Sequence, residues 1–94
     1  MGRGHEPEPA PSEARADVLL HWLCLARSRS EAAGWCHEGR VLLGGRPVKA
    51  SHPLRAGEVL TLRVGGHPAS YRILEVPRAQ VPRAGRERYL RQEP

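Results

Sequence analysis

The stretch ARSRSEAAGWCHEG, residues 26–39, decides how this chain folds. Ser28 and Glu31 stand three positions apart. At that spacing a hydroxyl and a carboxylate together satisfy the free amides of a helix start. Ala32, Trp35 and Cys36 then form one apolar stripe with Ala33 at its margin, and Gly39 supplies a natural stop. Upstream, RADVLLHWLCLAR (residues 15–27) sets Ala16, Leu19, Leu20, Leu23 and Ala26 on one side of an amphipathic helix bordered by Trp22. Asp17 sits near its start, where a carboxylate suits the positive end of the helix dipole. With only about two residues between them, the two helices are expected to form a compact hairpin.

From Arg40 the period becomes strand-like. RVLLGGRPVKA reads as strand, Gly44-Gly45 turn, strand. SHPLRAGEV reads as a polar connection with a turn at Ala56-Gly57, VLTLRVGG as a third strand and HPASYRILEV as a fourth. Helices first and strands after predict an α+β fold, a helical hairpin packed on a small antiparallel β-sheet. Residues 1–14, rich in Pro, Gly and Glu without apolar periodicity, read as a flexible tail. Residues 15–76 then form one domain, and residues 77–94 a basic, Pro-broken tail with a helical turn around residues 86–91.

The bulk properties narrow the function. Ninety-four residues hold one small domain with a thin core. A formal charge of +5 and a pI of about 10.2 point to a polyanionic partner, most simply nucleic acid. The longest apolar run, VLLHWLCLA, is far short of a membrane span, so no membrane partner is expected. Two cysteines without a secretory signal point to a reduced, cytoplasmic protein.

Catalysis finds no support. Ser, His and Asp occur without the spacing of a nucleophile and its base. Gly44-Gly45 and Gly65-Gly66 are followed by Arg46 and His67 rather than the Lys-Ser/Thr of a phosphate loop. His21-x-x-Cys24 and Cys36-His37 look like metal ligands, but neighbours on a helix point about 100° apart and the set matches no zinc pattern. Neither a metal, a cofactor nor a disulfide is expected. Trp22 and Trp35 lie on or beside apolar helix faces, so both read as core packing rather than base stacking.

The ordered pieces resemble the ribosomal-protein-S-four type of RNA-binding domain. The residues that carry the resemblance are Arg15-x-Asp17-x-x-Leu20, Arg27-Ser28-Arg29-Ser30, Ala32, Gly39-x-Val41, Gly45, Val48-Lys49-x-Ser51 and Arg55-x-Gly57-Glu58. The chain departs from the pattern at Val18 and Cys24, where the family carries basic residues, and at Gly44 in place of an asparagine. Among such proteins it is similar to the small stand-alone heat-shock-protein-fifteen family and its ribosome-quality-control relatives, which end near a Tyr as Arg88-Tyr89-Leu90 does.

The resemblance implies a non-enzymatic, monomeric binder of ribosomal RNA and tRNA. It implies action on the large ribosomal subunit, in recycling or quality control of stalled nascent-chain complexes. An accessory that recruits an RNA-modifying enzyme, or a general rRNA and tRNA binder, is the alternative. Arg15, Arg27, Arg29 and Lys49 are the first candidates for RNA contact, since a guanidinium forks onto phosphate oxygens. Arg40, Arg46 and Arg55 are divided between contact and solvated surface. Ser28 is first of all a cap, while Ser30 and Ser51 are further candidates to bond phosphate. The expected RNA-binding set is thus Arg15, Arg27, Ser28, Arg29, Ser30, Arg40, Lys49, Ser51 and Arg55.

Overall fold

In the computed structural model, residues 11–94 are described. The elements in chain order are β1 (Glu13–Arg15), α1 (Ala16–Trp22), α2 (Arg29–His37), β2 (Val41–Leu43), β3 (Arg46–Pro47), β4 (Pro53–Arg55), β5 (Val59–Leu62), β6 (Ala69–Ile73), a 3-10 helix (Arg83–Arg88) and β7 (Leu90–Glu93). A five-stranded antiparallel sheet runs β3-β2-β5-β6-β7, and β1 with β4 makes a separate two-stranded ribbon. The helical hairpin packs on this framework, as the α+β expectation requires. Leu19, Leu20 and Leu23 from the hairpin meet Val41, Leu54, Leu60 and Ile73 from the strands, all fully buried.

The second helix forms as its capping pattern dictates. Ser28 is extended, and its Oγ accepts from the Glu31 amide at 3.0 Å. The Glu31 carboxylate reaches back to the Arg27 amide at 2.8 Å, one residue before the cap. At the other end, Gly39 takes φ of +75°. Its amide donates to the Cys36 carbonyl while the Arg40 amide donates to that of Trp35. That pair of bonds is the Schellman closure.

The first helix is shorter than its apolar spacing predicts, ending at Trp22 rather than running to residue 27. The cause is a second Schellman closure, with Cys24 in the left-handed region at φ of +61°. The Cys24 amide donates to His21 and the Leu25 amide to Leu20. Such a residue costs about 1–2 kcal/mol relative to a right-handed one. The Cys24 thiol is held there by donating to the Val81 carbonyl at 3.2 Å.

Both ends of the chain also differ from the expected tails. Residues 1–10 lie outside the described residues, but Glu13 and Ala14 pair with Arg55 and Leu54 in the ribbon. The basic C-terminal stretch is part of the sheet: β7 pairs with β6, setting Leu90 opposite Ile73. Val76, Val81 and Leu90 are buried in the same core, and the Val81 amide donates to the Trp22 carbonyl at 3.0 Å. The short helical turn is present but sits at Arg83–Arg88, just before β7. Three buried apolar side chains outweigh the prolines, which occupy the connection rather than the strand.

No helix among the described residues is long and apolar enough to cross a membrane.

Candidate nucleic-acid interface

The start of α1 has no side-chain cap. Instead the Ala16 amide donates to the His52 carbonyl at 2.9 Å and the Asp17 amide to the Ala50 carbonyl at 3.1 Å. These bonds press the helix start against the loop that carries Lys49 and Ser51, both exposed. Residues far apart in sequence are thereby gathered at one place.

Asp17 organises it. The residue is 4% exposed, the one buried charged residue among those described. Its carboxylate accepts from Arg15 Nε and Nη2, each at 3.0 Å, and from Arg29 Nη2 at 3.5 Å. The bond from Arg15 outweighs the cost of burial and, with the charges of Arg15 and Arg29, holds the Asp17 carboxyl below its ordinary value. Reciprocally, the bond to Asp17 holds the Arg15 guanidinium above its own ordinary value. Both guanidiniums remain about half exposed, at 51% and 56%. A guanidinium has five N–H donors, so Arg15 keeps three free after gripping Asp17. Two cations joined to one buried anion leave a net positive cluster whose spare donors face solvent.

The other candidates are placed less uniformly. Arg27 is 92% exposed, tied only to Glu31 at 3.4 Å. Ser28 spends its oxygen on the cap. Ser30 is exposed one residue beyond Arg29, in the first turn of α2. Arg40 lies past the far end of α2, roughly 13 Å along its axis, where it pairs with Glu38 and donates to the Arg63 carbonyl. Arg55 is held by Glu13 at 2.8 Å across the ribbon. Arg15 and Arg29 are therefore brought together on Asp17, the loop of Lys49 and Ser51 is tied to the start of α1 through its backbone, and Arg27, Ser28 and Ser30 lie at the start of α2. Arg40 stands apart at the far end of α2, paired with Glu38, and Arg55 lies on the ribbon, paired with Glu13. Arg46 is exposed on β3.

Sequence reasoning treated Asp17 mainly as a helix-start charge. The signal for its second role was present in the Arg15-x-Asp17 spacing, but the reach to Arg29 depends on how the hairpin closes. Trp35 packs against the core as expected, whereas Trp22 is not among the described side chains packed against it. Among the described residues no group of three or more His, Cys, Asp or Glu side chains is placed to hold a metal. Both cysteines are free thiols.

A helical hairpin on a small antiparallel sheet, with arginines oriented at the hairpin start, defines a compact RNA-binding module. Residues 14–60 match the S4 domain, and the chain belongs to that family. It is 32% identical over 77 residues to the RQC P-site tRNA stabilizing factor of Helicobacter pylori, a match covering 81% of this chain and 92% of that protein. The trimeric structure of Vibrio cholerae heat shock protein 15 shares the fold, with a TM-score of 0.80 at 23% identity over 86% of this chain and 82% of that one.

Proposed function

We propose that this protein docks on structured RNA of the large ribosomal subunit and on tRNA held there. It acts by binding rather than catalysis, as a cytoplasmic monomer, in recycling or quality control of subunits obstructed by a stalled nascent chain. The observation that carries the RNA contact is the buried Asp17 carboxylate, which presents Arg15 and Arg29 side by side with spare donors outward. Lys49, Ser51 and the start of α2, with Arg27 and Ser30, extend that surface. Structured RNA suits it because phosphate contacts and shape, rather than base edges, are what such a rigid cationic patch reads. Support for the ribosomal setting comes from the likeness to a P-site tRNA stabilizing factor along nearly that protein's full length.

The test is co-sedimentation with large subunits across a salt series, paired with a titration against tRNA. Binding should weaken linearly in log affinity with log salt. Replacing Arg27 and Arg29 together by Ala should weaken it further without unfolding the domain. Unchanged affinity in the folded double variant would remove these residues from the interface. Absence from the large-subunit fraction, with tRNA binding intact, would remove the ribosomal setting alone.

A further inference from the structure

Beside the arginine cluster lies a groove of about 520 Å³ between β1 and α1. Pro11, Ala14, Val18 and Trp22 form its apolar wall, and Arg15, Arg78 and Glu13 its charged rim. Val18 and Trp22, four residues apart, share one face of α1, and Arg15 immediately precedes the helix at the end of β1. Trp22 and Trp35 are both partly buried, but of the two only Trp35 is among the described side chains packed against the core cluster. Trp22 lines the groove.

The rim is net cationic in effect. Glu13 is already engaged by Arg55. Arg78 is exposed and makes no hydrogen bond or ion pair with the described residues. Arg15 is shared with the RNA surface proposed above, so the groove continues that surface rather than lying on another side of the molecule.

We propose that this groove takes one unstacked nucleotide of the bound RNA, its base against Trp22 and Val18 and its flanking phosphates on Arg15 and Arg78. The inference rests on the RNA-binding reading and adds a second class of contact to it. Charge decides the occupant: an apolar wall with an aromatic face suits a base, and the two arginines suit the phosphates on either side of it. The volume lies in the range of small-ligand sites. A duplex offers only base edges and its backbone, whereas an unpaired base exposes the flat face that stacks on an aromatic ring.

The experiment compares two probes with the full chain. One is a blunt RNA hairpin, the other the same hairpin with a short single-stranded 3′ extension. The extension should tighten binding to the wild type. Trp22→Ala should abolish that gain, a loss of roughly fivefold to a hundredfold on the extended probe, with the blunt hairpin bound as before. Trp22→Phe should retain most of the gain, and Arg78→Ala should reduce it. In protein labelled with 5-fluorotryptophan, the fluorine resonance of Trp22 should shift with the extended probe and stay in place with the blunt one.

Equal affinity of the wild type for the two probes, or an unmoved Trp22 resonance, overturns the nucleotide site while leaving the arginine surface standing. Absence of salt-dependent binding to either probe overturns the RNA reading and the site with it. A Trp22 resonance that responds to removal of residues 1–10 but not to RNA assigns the groove to the chain's own N-terminal segment, and the proposal falls.

Discussion

The Asp17 carboxylate grips the Arg15 guanidinium through two parallel hydrogen bonds, Nε to Oδ1 and Nη2 to Oδ2, each 3.0 Å long. Because its carboxyl is held below the ordinary 3.8, the stabilisation it provides is fully present above the unfolded value and fades as pH falls through the folded one. Asp17→Asn should therefore lower stability at neutral pH, and its deficit against the wild type should begin to narrow as pH falls below about 4. Denaturant unfolding of both proteins from pH 7 down to pH 3 measures this. Other carboxylates titrate in both proteins and cancel in the difference. A deficit that stays constant across the range would show that the carboxylate's charge is not what matters.

Arg29 should contribute more to RNA affinity than Arg27. Arg29 is already oriented by Asp17, while Arg27 is 92% exposed and must give up rotamer freedom on docking. Each single change to Ala should make the slope of log affinity against log salt shallower by about 0.7–0.9 for every phosphate left without its cation. The drop in affinity should be larger for Arg29. Equal drops would mean that pre-orientation has no influence.

Leu90→Ala should destabilise the fold by about 2–5 kcal/mol, since Leu90 is 5% exposed and packs in the common core from the last strand. Thermal unfolding gives the value. A change within error would restore the C-terminal stretch to the status of a tail.

Ser28→Ala removes the oxygen that caps the second helix. The expected cost is about 1 kcal/mol, and Ser28→Asp should recover most of it, since aspartate caps as well as serine. Equilibrium denaturation separates the three proteins.

The cysteines should differ sharply in reactivity. Burial, and secondarily the nearby Asp17 charge, pushes the Cys36 thiol above its usual 9.0. Cys24 is only half-buried. Iodoacetamide should alkylate Cys24 first in the folded protein and Cys36 only on unfolding, as peptide mass spectrometry would read. Equal rates under native conditions would contradict the packing of α2.

Much of this was legible in residues that act locally. The capping pair Ser28 and Glu31, the stop at Gly39 and the Gly44-Gly45 hairpin turn all appear where their chemistry places them. Both turn glycines take positive φ, as the tight two-residue loop demands. The left-handed backbone at Cys24 was not legible, because a non-glycine residue at such a helix end leaves no compositional trace. It is held there by a carbonyl 57 positions away.

The candidate site divides in the same way. Arg15, Arg29 and Lys49 were visible as first candidates, with Arg40 and Arg55 divided between contact and solvated surface. The fold adds what the sequence could not: Arg15 and Arg29 share one buried carboxylate, while Arg40 pairs with Glu38 and Arg55 with Glu13, both partners exposed. Arg78 and Trp22 as groove residues carried no signal, because a groove exists only where separate segments meet.

The sequence by itself determined the kind of elements, their order and the basic character of the surface, because propensity, capping and charge act within a few residues. Tertiary structure alone decided that the basic C-terminal stretch closes the sheet, that α1 stops at Trp22, and that one buried carboxylate serves two arginines. Those outcomes depend on bonds between distant segments, whose partners become neighbours only when the core is formed.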